Sequence, residues 1–343
     1  MKSYFKKYNF TLITMAPIHI GSGSFYTQKE YIYENNQYIF PDKVQLYQEI
    51  AKLGPKYQEK FEKFLLENIS NNSRKSRLID FLNDSKIKSR NFGGYAIQAT
   101  GFETENKGQL NQINKFIRDP YGNPYIPGSS LKGAIRTILV NEKFAEEDEY
   151  IPWGAHKNEK FDDIFHEIYV ADSQPLKNED LVLAQKWDFS KEKSPRKITQ
   201  ANSLPVFRES LRPFLQVRFV IQVQTPRAAE LIGSLMSYAE KFYQKYKNKF
   251  LIDFPNEYQQ DNIYAPMYLG AGSGFWTKTD IDRVKIGDIG NGKLKMKGKG
   301  VLKLTKFKKK KFKYKGETKY LIKNNNNFYE MGKVNFIVKE VKE

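Results

Sequence analysis

The chain has 343 residues, and its 57 lysines and arginines outnumber its 39 acidic residues, which gives a formal net charge of +18. The length allows about two domains with buried cores, and the charge favours a polyanionic partner, either nucleic acid or an acidic membrane surface. The sequence has no cysteine, which excludes disulfides and thiolate metal sites and fits a reducing cytoplasm. The three histidines, His19, His156 and His166, are too scattered to suggest a metal cluster, so no metal or other cofactor is expected.

The N-terminus superficially resembles a signal peptide, because Lys2, Lys6 and Lys7 precede an apolar run at residues 10–20. That run contains threonine, proline and histidine and lacks an Ala-x-Ala cleavage site, so we do not expect export. No stretch approaches the roughly 20 apolar residues of a membrane helix. The sequence therefore predicts a cytoplasmic protein with no membrane partner.

Residues 8–16 predict a first strand, because they are rich in β-branched and aromatic side chains. The loop that follows reads Pro-Ile-His-Ile-Gly-Ser-Gly, and its glycines, Gly21 and Gly23, allow a close approach to a ligand backbone. His19 beside them suggests acid–base chemistry. A structural role for this histidine is the favoured interpretation, because the sequence shows no second catalytic partner.

Further elements follow before the central part of the chain. Residues 29–33 and 38–40 flank Glu-Asn-Asn-Gln and predict a hairpin. Residues 42–53 and 56–68 have helical periodicity. Residues 69–109 predict a basic insertion between core elements, which could contact RNA, although a run of charges is more often a solvated face.

A tight turn, a short extended run and a helix are predicted in the segment that ends Ile-Pro-Gly-Ser-Ser-Leu-Lys-Gly-Ala-Ile-Arg. Gly128 ends the extended run, and Ser129 or Ser130 can cap the helix. Ser129, Lys132 and Arg136 share one stripe of that helix, so amides, a hydroxyl and two cations converge on an anion site suited to phosphate. A plain helix start with exposed lysines is the alternative interpretation. A Walker A loop is excluded, because alanine and isoleucine stand where it requires lysine and serine or threonine.

The middle of the chain predicts two more strands, at residues 167–173, which end in Asp-Ser, and at residues 181–189. We place a domain boundary near residues 208–213. The predicted domains are therefore an N-terminal domain, residues 1–210, with helical and basic insertions, and a C-terminal domain, residues 211–343.

The C-terminal part begins with a half-buried strand at residues 214–224, whose apolar and polar side chains alternate. Thr225 and Pro226 predict a helix start with a proline in its first turn. This second strand-to-helix transition suggests that the two parts of the chain are related modules. The end of the chain is lysine-rich at residues 293–319 and returns to a strand pattern at residues 334–338.

A glycine-rich loop precedes that lysine-rich segment. Its alternating glycines, Gly270, Gly272 and Gly274, allow backbone amides to gather around a phosphate. Phe275 and Trp276 follow them and could stack on bases, and a nearby lysine adds charge. A plain glycine-rich turn is the alternative interpretation.

The segment at residues 126–136 resembles the signature of RAMP proteins, the RNA-binding subunits of CRISPR effector complexes. The early His-Ile-Gly-Ser-Gly loop and the late Gly-Ala-Gly-Ser-Gly-Phe loop also resemble loops of these proteins. The resemblance implies an α+β fold of two ferredoxin-like, RRM-like modules with insertions. Because the chain has no RNP motif, we expect it to follow the phosphate backbone and not to read bases on sheet aromatics.

The order and spacing of these three segments resemble the fifth-subunit family of type III-A Csm complexes. That resemblance implies a non-catalytic subunit that caps the 3′ end of the guide RNA (crRNA), docks on other Csm subunits, chiefly the repeated backbone subunit, and helps cellular 3′ exonucleases trim that end. The backbone subunits cut target RNA with an aspartate in an early loop, and residues 21–28 contain none, so that activity is not carried over. The predicted RNA-binding residues are His19, Gly21, Gly23, Gly128, Ser129, Ser130, Lys132, Arg136, Gly270, Gly272, Gly274, Phe275 and Lys278.

Two alternative functions stay open at this point. Some RAMP proteins are metal-independent endoribonucleases that process guide precursors, and His19 would then be the general acid or base, with a partner such as Lys132 or a tyrosine. A free-standing nucleic-acid-binding protein outside CRISPR would also fit the charge. Defined cleavage products would favour the ribonuclease, and instability without sister subunits would argue against the free-standing protein.

Overall fold

The structure, a computed structural model, describes residues 4–67, 77–87, 92–103, 108–143, 164–190, 201–260, 265–282, 285–286, 295–296, 300–308, 311–314, 317–320 and 327–342. The α-helices are α1 (Lys43–Ala51), α2 (Pro55–Leu66), α3 (Leu78–Asp84), α4 (Gly128–Glu142), α5 (Pro226–Gly233) and α6 (Leu235–Lys249). The strands are β1 (Lys6–Thr14), β2 (Gly21–Thr27), β3 (Ile32–Glu34), β4 (Gln37–Phe40), β5 (Tyr95–Ala99), β6 (Gln112–Phe116), β7 (Ile168–Val170), β8 (Leu181–Ser190), β9 (Asn202–Leu211), β10 (Gln216–Val223), β11 (Ala265–Tyr268), β12 (Lys285–Ile286), β13 (Lys295–Met296), β14 (Val301–Lys306), β15 (Lys311–Tyr314), β16 (Glu317–Tyr320), β17 (Phe328–Glu330) and β18 (Lys333–Glu340).

The first strand, β1, is the centre of a five-stranded antiparallel sheet whose order is β11–β18–β1–β10–β7. Alternate residues of β1 are buried, which places one face of the strand in the core. On that face Phe10 stacks on Phe336 of β18 with ring centroids 4.9 Å apart, and it meets Phe219 of β10 edge-on at 6.1 Å. These contacts join the two ends of the chain in one core.

The connections of this sheet follow the β-α-β-β-α-β order of a ferredoxin-like unit. In chain order the unit contains β1, α4, β7, β10, the pair α5 and α6, and β18. Long insertions separate these elements, and they contain the strands β2 to β6, β8 and β9, and β11 to β17. The predicted α+β class with ferredoxin-like architecture and insertions is therefore confirmed. The helices α4 and α5, whose starts suggested two related modules, both belong to this one unit, so the arrangement as two modules stays a prediction.

The helices of the unit cover the buried face of the sheet. The hydroxyl of Thr225 accepts a hydrogen bond from the N–H of Ala228, and Pro226 is the first helical residue, as predicted. The segment after it forms two helices instead of the single predicted one, because α5 ends at Gly233 and α6 begins at Leu235, with Ser234 between them. Glycine and serine at this junction are weaker helix formers than alanine.

The insertions build a nine-stranded sheet with the main path β2–β6–β9–β8–β5–β4–β3, to which β14 adds on β8 and β17 adds on β14. Two expectations are corrected here. The loop predicted at residues 17–23 is partly strand, since β2 begins at Gly21 and a bulge between Gly21 and Phe25 absorbs extra residues against β6. The segment 69–109, which was predicted as a basic insertion between core elements, contains part of the core of the nine-stranded sheet, because its strand β5 pairs with both β4 and β8.

The helices α1, α2 and α3 form a satellite with its own apolar core. Asp42 caps α1, because its carboxylate accepts a hydrogen bond from the N–H of Gln45. The ammonium group of Lys29 donates to the carbonyl oxygens of Phe64 and Leu65, over 2.5 Å and 3.2 Å, and so satisfies the end of α2. Of the basic residues predicted in this region, those at 68–76 and 88–91 lie outside the described residues.

The two sheets combine strands from both sides of the predicted boundary at residues 210 and 211. The strand β9 runs from Asn202 to Leu211 and so includes that boundary, and β1 lies between β10 and β18. The division into two sequence-contiguous domains stays a prediction.

None of the helices in the described ranges is long and apolar enough to cross a membrane.

Candidate RNA interface

Three segments that lie far apart in the sequence line one groove with a volume of about 460 Å³. The loop between β1 and β2 contributes Ile20 and Gly21, the first turns of α4 contribute Ser129 and Ser130, and the glycine-rich loop contributes Lys278. These are the three segments in which the sequence predicted phosphate contacts. The structure therefore brings them to one place.

The wall formed by the early loop is fixed by backbone contacts with the glycine-rich loop. The N–H of Ala271 donates to the carbonyl oxygen of His19 over 2.8 Å. Gly270 has φ of +82°, and a Cβ atom there would lie 2.4 Å from that same carbonyl oxygen. Only glycine fits this position, since it tolerates both the positive φ and the close backbone approach.

His19 itself is buried under the groove and only 4% exposed. Its Nδ1 lies 2.7 Å from the carbonyl oxygen of Glu209, and because a carbonyl can only accept, the proton is on Nδ1. The pKa of His19 is lowered to about 4, chiefly by burial; the hydrogen bond to the Glu209 carbonyl opposes this shift, and the nearby Arg208 adds to it. The imidazole is therefore neutral at physiological pH.

Glu209 is the buried group that holds this side of the groove together. Its carboxylate accepts hydrogen bonds from the Tyr95 hydroxyl at 2.5 Å and from the N–H of Phe116 at 2.8 Å, and Arg118 pairs with it at 3.4 Å. Burial raises the pKa of Glu209, and the Arg118 guanidinium opposes that rise. This network ties β5, β6 and β9 beneath the early loop.

The start of α4 is held by the Asp-Ser pair that follows β7. The N–H of Gly128 donates to the Asp172 carboxylate over 2.7 Å, and the N–H of Ile126 donates to the Ser173 hydroxyl over 2.9 Å. A Cβ atom on Gly128 would lie 2.1 Å from the carbonyl oxygen of Val170, so α4 packs directly on the β7 backbone. The Asp-Ser strand end thus acts as a clamp on the signature segment, a role that the sequence alone did not reveal.

The two cations predicted at the start of α4 point to different places. Lys132 lines a second depression of about 420 Å³ with Tyr169 and Gln222, on the other side of Ser129. The Arg136 guanidinium lies over the Phe165 ring, 4.1 Å from its centroid. RNA binding by either residue stays a prediction, and one face of Arg136 already packs on the protein.

The glycine-rich loop has the backbone that its sequence predicts, since Gly270, Gly272 and Gly274 all have positive φ. The Lys278 ammonium donates to the Gly270 carbonyl oxygen over 2.6 Å and closes the loop. Of the two aromatic residues, Phe275 is 50% exposed and Trp276 is 3% exposed. The expectation that both could stack on bases is corrected, because Trp276 belongs to the core and stacks on Phe250 at 5.8 Å.

Other predicted residues lie at the edge of the groove or outside it. Gly23 is exposed on β2 with φ of +84°, and a Cβ atom there would meet no atom within 4 Å. Arg208, which no sequence motif singled out, comes close to Gly272, so that a Cβ atom on Gly272 would lie 2.6 Å from Arg208 Nη1.

In the described part of the chain no three His, Asp or Glu side chains come together as a potential metal site.

Comparison with known proteins identifies the family. The model of the RAMP superfamily matches residues 11–341. The CRISPR system protein Csm5 of Streptococcus thermophilus is 45% identical over 363 aligned positions, which cover 99% of each chain. The chain belongs to the Csm5 family of the RAMP superfamily. The resemblance drawn from three short segments of sequence is therefore confirmed.

Two solved structures support the fold of this Csm5-family chain. A chain of a Csm-crRNA-target RNA ternary complex from a type III-A CRISPR-Cas system matches with a TM-score of 0.60 at 16% identity, covering 96% of this chain and 100% of that one. The crystal structure of T. onnurineus Csm5 matches with a TM-score of 0.55 at 19% identity, covering 78% and 90%. Because only 16% and 19% of the aligned residues are identical, these two structures show that the chain shares their fold.

Proposed function

We propose that this chain is a non-catalytic subunit that binds the guide RNA (crRNA) in a type III-A CRISPR (Csm) effector complex of the cytoplasm. The observation that carries the proposal is the groove in which the early loop, the start of α4 and the glycine-rich loop meet. Membership of the Csm5 family and the fold shared with a chain of a Csm-crRNA-target RNA complex support it. The formal net charge of +18 suits a polyanionic partner.

Binding in the groove would be directed at the RNA backbone. The walls present the hydroxyl groups of Ser129 and Ser130, the ammonium group of Lys278 and glycine backbone that a phosphate can approach closely. Contacts of this kind depend on charge and shape and carry no sequence information. The subunit would thus accept any guide sequence, as a subunit of an RNA-guided complex must.

We further propose that the subunit caps the 3′ end of the guide, next to the repeated backbone subunit, and assists its trimming by recruited cellular 3′ exonucleases. This expectation comes from the Csm5 family to which the chain belongs. In cells that express the Csm complex without this chain, guides should keep longer and more heterogeneous 3′ ends. Guides with unchanged ends would contradict the capping role.

The state of His19 argues against the alternative function as an endoribonuclease. A general acid must be protonated near neutral pH, and a histidine with a pKa of about 4 is protonated in roughly one molecule per thousand at pH 7. Its Nδ1 proton is committed to the Glu209 carbonyl, and the side chain is buried. We therefore assign His19 a structural role beneath the groove.

The proposal is tested with the full chain and 5′-labelled guide RNA at two salt concentrations, with chelator present, on native and denaturing gels. We expect a salt-sensitive shift with intact RNA. Lys278→Ala, which removes the ammonium group in the groove lining, should weaken the shift about three- to ten-fold. Lys143→Ala, which removes an exposed lysine at the end of α4, should leave it unchanged. Cleavage products that disappear in His19→Asn would identify a ribonuclease instead.

A further inference from the structure

Beyond the groove, the glycine-rich loop covers a cluster of cations on the nine-stranded sheet. Lys186 lies on β8, Arg208 on β9 and Lys303 on β14. Lys278 of the loop, which also lines the groove, is near enough to Arg208 for the Arg208 charge to lower its pKa. Asp188 is the one carboxylate paired with them among the described residues. We refer to Lys186, Arg208, Lys278 and Lys303 as the cationic cluster.

Strand register places these side chains together. Lys303 pairs with Asp188 across β14 and β8, and the ammonium group of Lys303 is 2.9 Å from the Asp188 carboxylate. Lys186 lies two residues before Asp188 on the same face of β8 and is 3.3 Å from that carboxylate. The single negative charge of Asp188 is thus shared between two lysines, which leaves the cluster with a positive excess.

Arg208 is the member of the cluster with the weakest partner. Its Nη1 lies 3.4 Å from the Met331 sulfur, a poor hydrogen-bond acceptor. No carboxylate of the described residues lies within ion-pair distance of its guanidinium, and Asp188 acts on it only through the longer-range charge interaction. A half-buried guanidinium normally pairs with a carboxylate or a phosphate.

The positive charges of the cluster repel one another, and this repulsion affects their pKa values. Burial lowers the pKa of Arg208 and of Lys278, and Arg208 lowers the pKa of Lys278 further. Burial also lowers the pKa of Lys186, with Asp188 opposing this effect and Lys303 and Arg208 adding to it. Because Arg208 makes both Lys186 and Lys278 harder to protonate, a bound anion would relieve this repulsion.

Glycines let the loop backbone pass close to the cluster without placing side chains over it. A Cβ atom on Gly272 would lie 2.6 Å from Arg208 Nη1, and Gly272 has φ of +89°, so a side chain there would be strained and would cover the guanidinium. A Cβ atom on Gly274 would lie 3.4 Å from Lys303 Cγ. Next to them Phe275 is half exposed, which offers an aromatic surface beside the positive charge.

We propose that the cationic cluster is a second phosphate-binding site for single-stranded RNA, next to the groove, to whose lining Lys278 also belongs. This inference rests on the proposed function and extends it, because it gives the RNA a path from the groove along the glycine-rich loop. An excess of positive charge next to an exposed aromatic ring is the combination that holds single-stranded nucleic acid. An acidic segment of a neighbouring subunit would use the charges but would not need the aromatic ring.

The test measures binding of the full chain to a fluorescein-labelled single-stranded RNA by fluorescence anisotropy, over a series of salt concentrations. Arg208→Met should weaken binding about ten-fold or more and reduce the slope of log K against log salt concentration by about 0.7 for each phosphate that the variant no longer neutralises. Arg212→Met is the matched control, because Arg212 also lies at β9 but pairs with Asp180 at 3.2 Å. Binding by this control should be unchanged.

Asp188→Asn keeps the volume of the side chain and removes the negative charge, so it serves as a second variant should Arg208→Met fail to fold. It should tighten RNA binding, the opposite direction to Arg208→Met. A purely structural cluster would instead lose stability with Asp188→Asn and show no gain in affinity, which would overturn the proposal.

Two further outcomes separate this site from the proposed function. If the unmodified chain binds RNA and Arg208→Met binds equally well but no longer assembles with the other Csm subunits, the cluster is a protein-docking site and the proposal is wrong. If neither the unmodified chain nor the assembled complex that contains it binds guide RNA, the proposed function fails, and this inference fails with it.

Discussion

The backbone N–H of Gly128 lies 2.7 Å from the carboxylate of Asp172, so the first turn of α4 already holds an anion that belongs to the protein. A carboxylate at this position is stabilised by the positive end of the helix dipole. RNA phosphates that approach α4 would therefore bind on the side of Ser129 and Ser130, which face the groove.

The contact between α4 and β7 predicts a sharp difference between two glycines of the same helix. Gly128→Ala should destabilise the protein by about 1–3 kcal/mol or more, because the added Cβ would lie 2.1 Å from the Val170 carbonyl oxygen. Gly133→Ala should stabilise it by about 0.5–1 kcal/mol, because that position is exposed, helical and free of neighbours within 4 Å. Urea denaturation of both variants measures the two changes, and equal effects would contradict this packing.

The buried neutral state of His19 predicts a loss of stability in acid. Because its folded pKa of about 4 is below the usual value of 6.5, its contribution is fully present above pH 6.5 and is lost as the pH falls through 4. At about 1.4 kcal/mol for each pKa unit, the loss approaches about 3 kcal/mol. His19→Asn keeps a donor for the Glu209 carbonyl and cannot titrate in this range.

The measurement is the free energy of unfolding of both proteins between pH 7.5 and pH 4, in which the wild type should lose more stability than His19→Asn. Glu209, whose pKa is raised by burial, contributes in the opposite direction, but it is present in both proteins and cancels in the difference. Parallel curves would show that folding does not lower the pKa of His19, so that the side chain is not buried as described.

The two adjacent aromatic residues of the glycine-rich loop should respond to substitution in opposite ways. Phe275→Ala should leave the melting temperature unchanged and weaken binding of single-stranded RNA by about 1–3 kcal/mol, because half of its surface is free to stack on a base. Trp276→Ala should destabilise the fold by about 3–5 kcal/mol, because its ring is buried against Phe250. Melting curves and anisotropy titrations test both, and normal stability of Trp276→Ala would contradict its place in the core.

A fully buried ion pair flanks the turn between β17 and β18: Glu330 ends β17, Lys333 begins β18, and their charged groups are 2.8 Å apart. Lys333→Met should destabilise the protein by about 3–5 kcal/mol, because Glu330 would stay buried without its cation. The double variant Lys333→Met/Glu330→Gln should recover much of this loss, and a double-mutant cycle by urea denaturation measures the coupling. Additive losses would mean that the two residues do not share a buried environment.

Short-range chemistry allowed the family and several elements to be predicted from the sequence. The hairpin at residues 32–40, the proline start of α5 and the positive φ values of the glycine-rich loop depend on residues next to each other in the chain. The segment at residues 126–136 was sufficient to suggest the RAMP superfamily, which the match over residues 11–341 confirms. Local turn and capping preferences act within a few residues, which is why a sequence reveals them.

What the sequence could not reveal depends on contacts between distant residues. The pairing of β1 with β10 and β18 joins segments about 200 and 300 positions apart. Strands from both sides of the predicted domain boundary therefore belong to one sheet. Burial separates Trp276 from Phe275, although the two are neighbours in the chain.

The sequence by itself determined the family, the α+β class, the positive charge and the three loop segments in which RNA contacts are predicted. The tertiary structure decided that these segments meet in one groove, that Asp172 occupies the first amide of α4, and that Arg208 lies beside Gly272. The physical reason is that periodicity and turn chemistry are local, whereas the burial and pairing of charges depend on which strands the folded sheet places side by side.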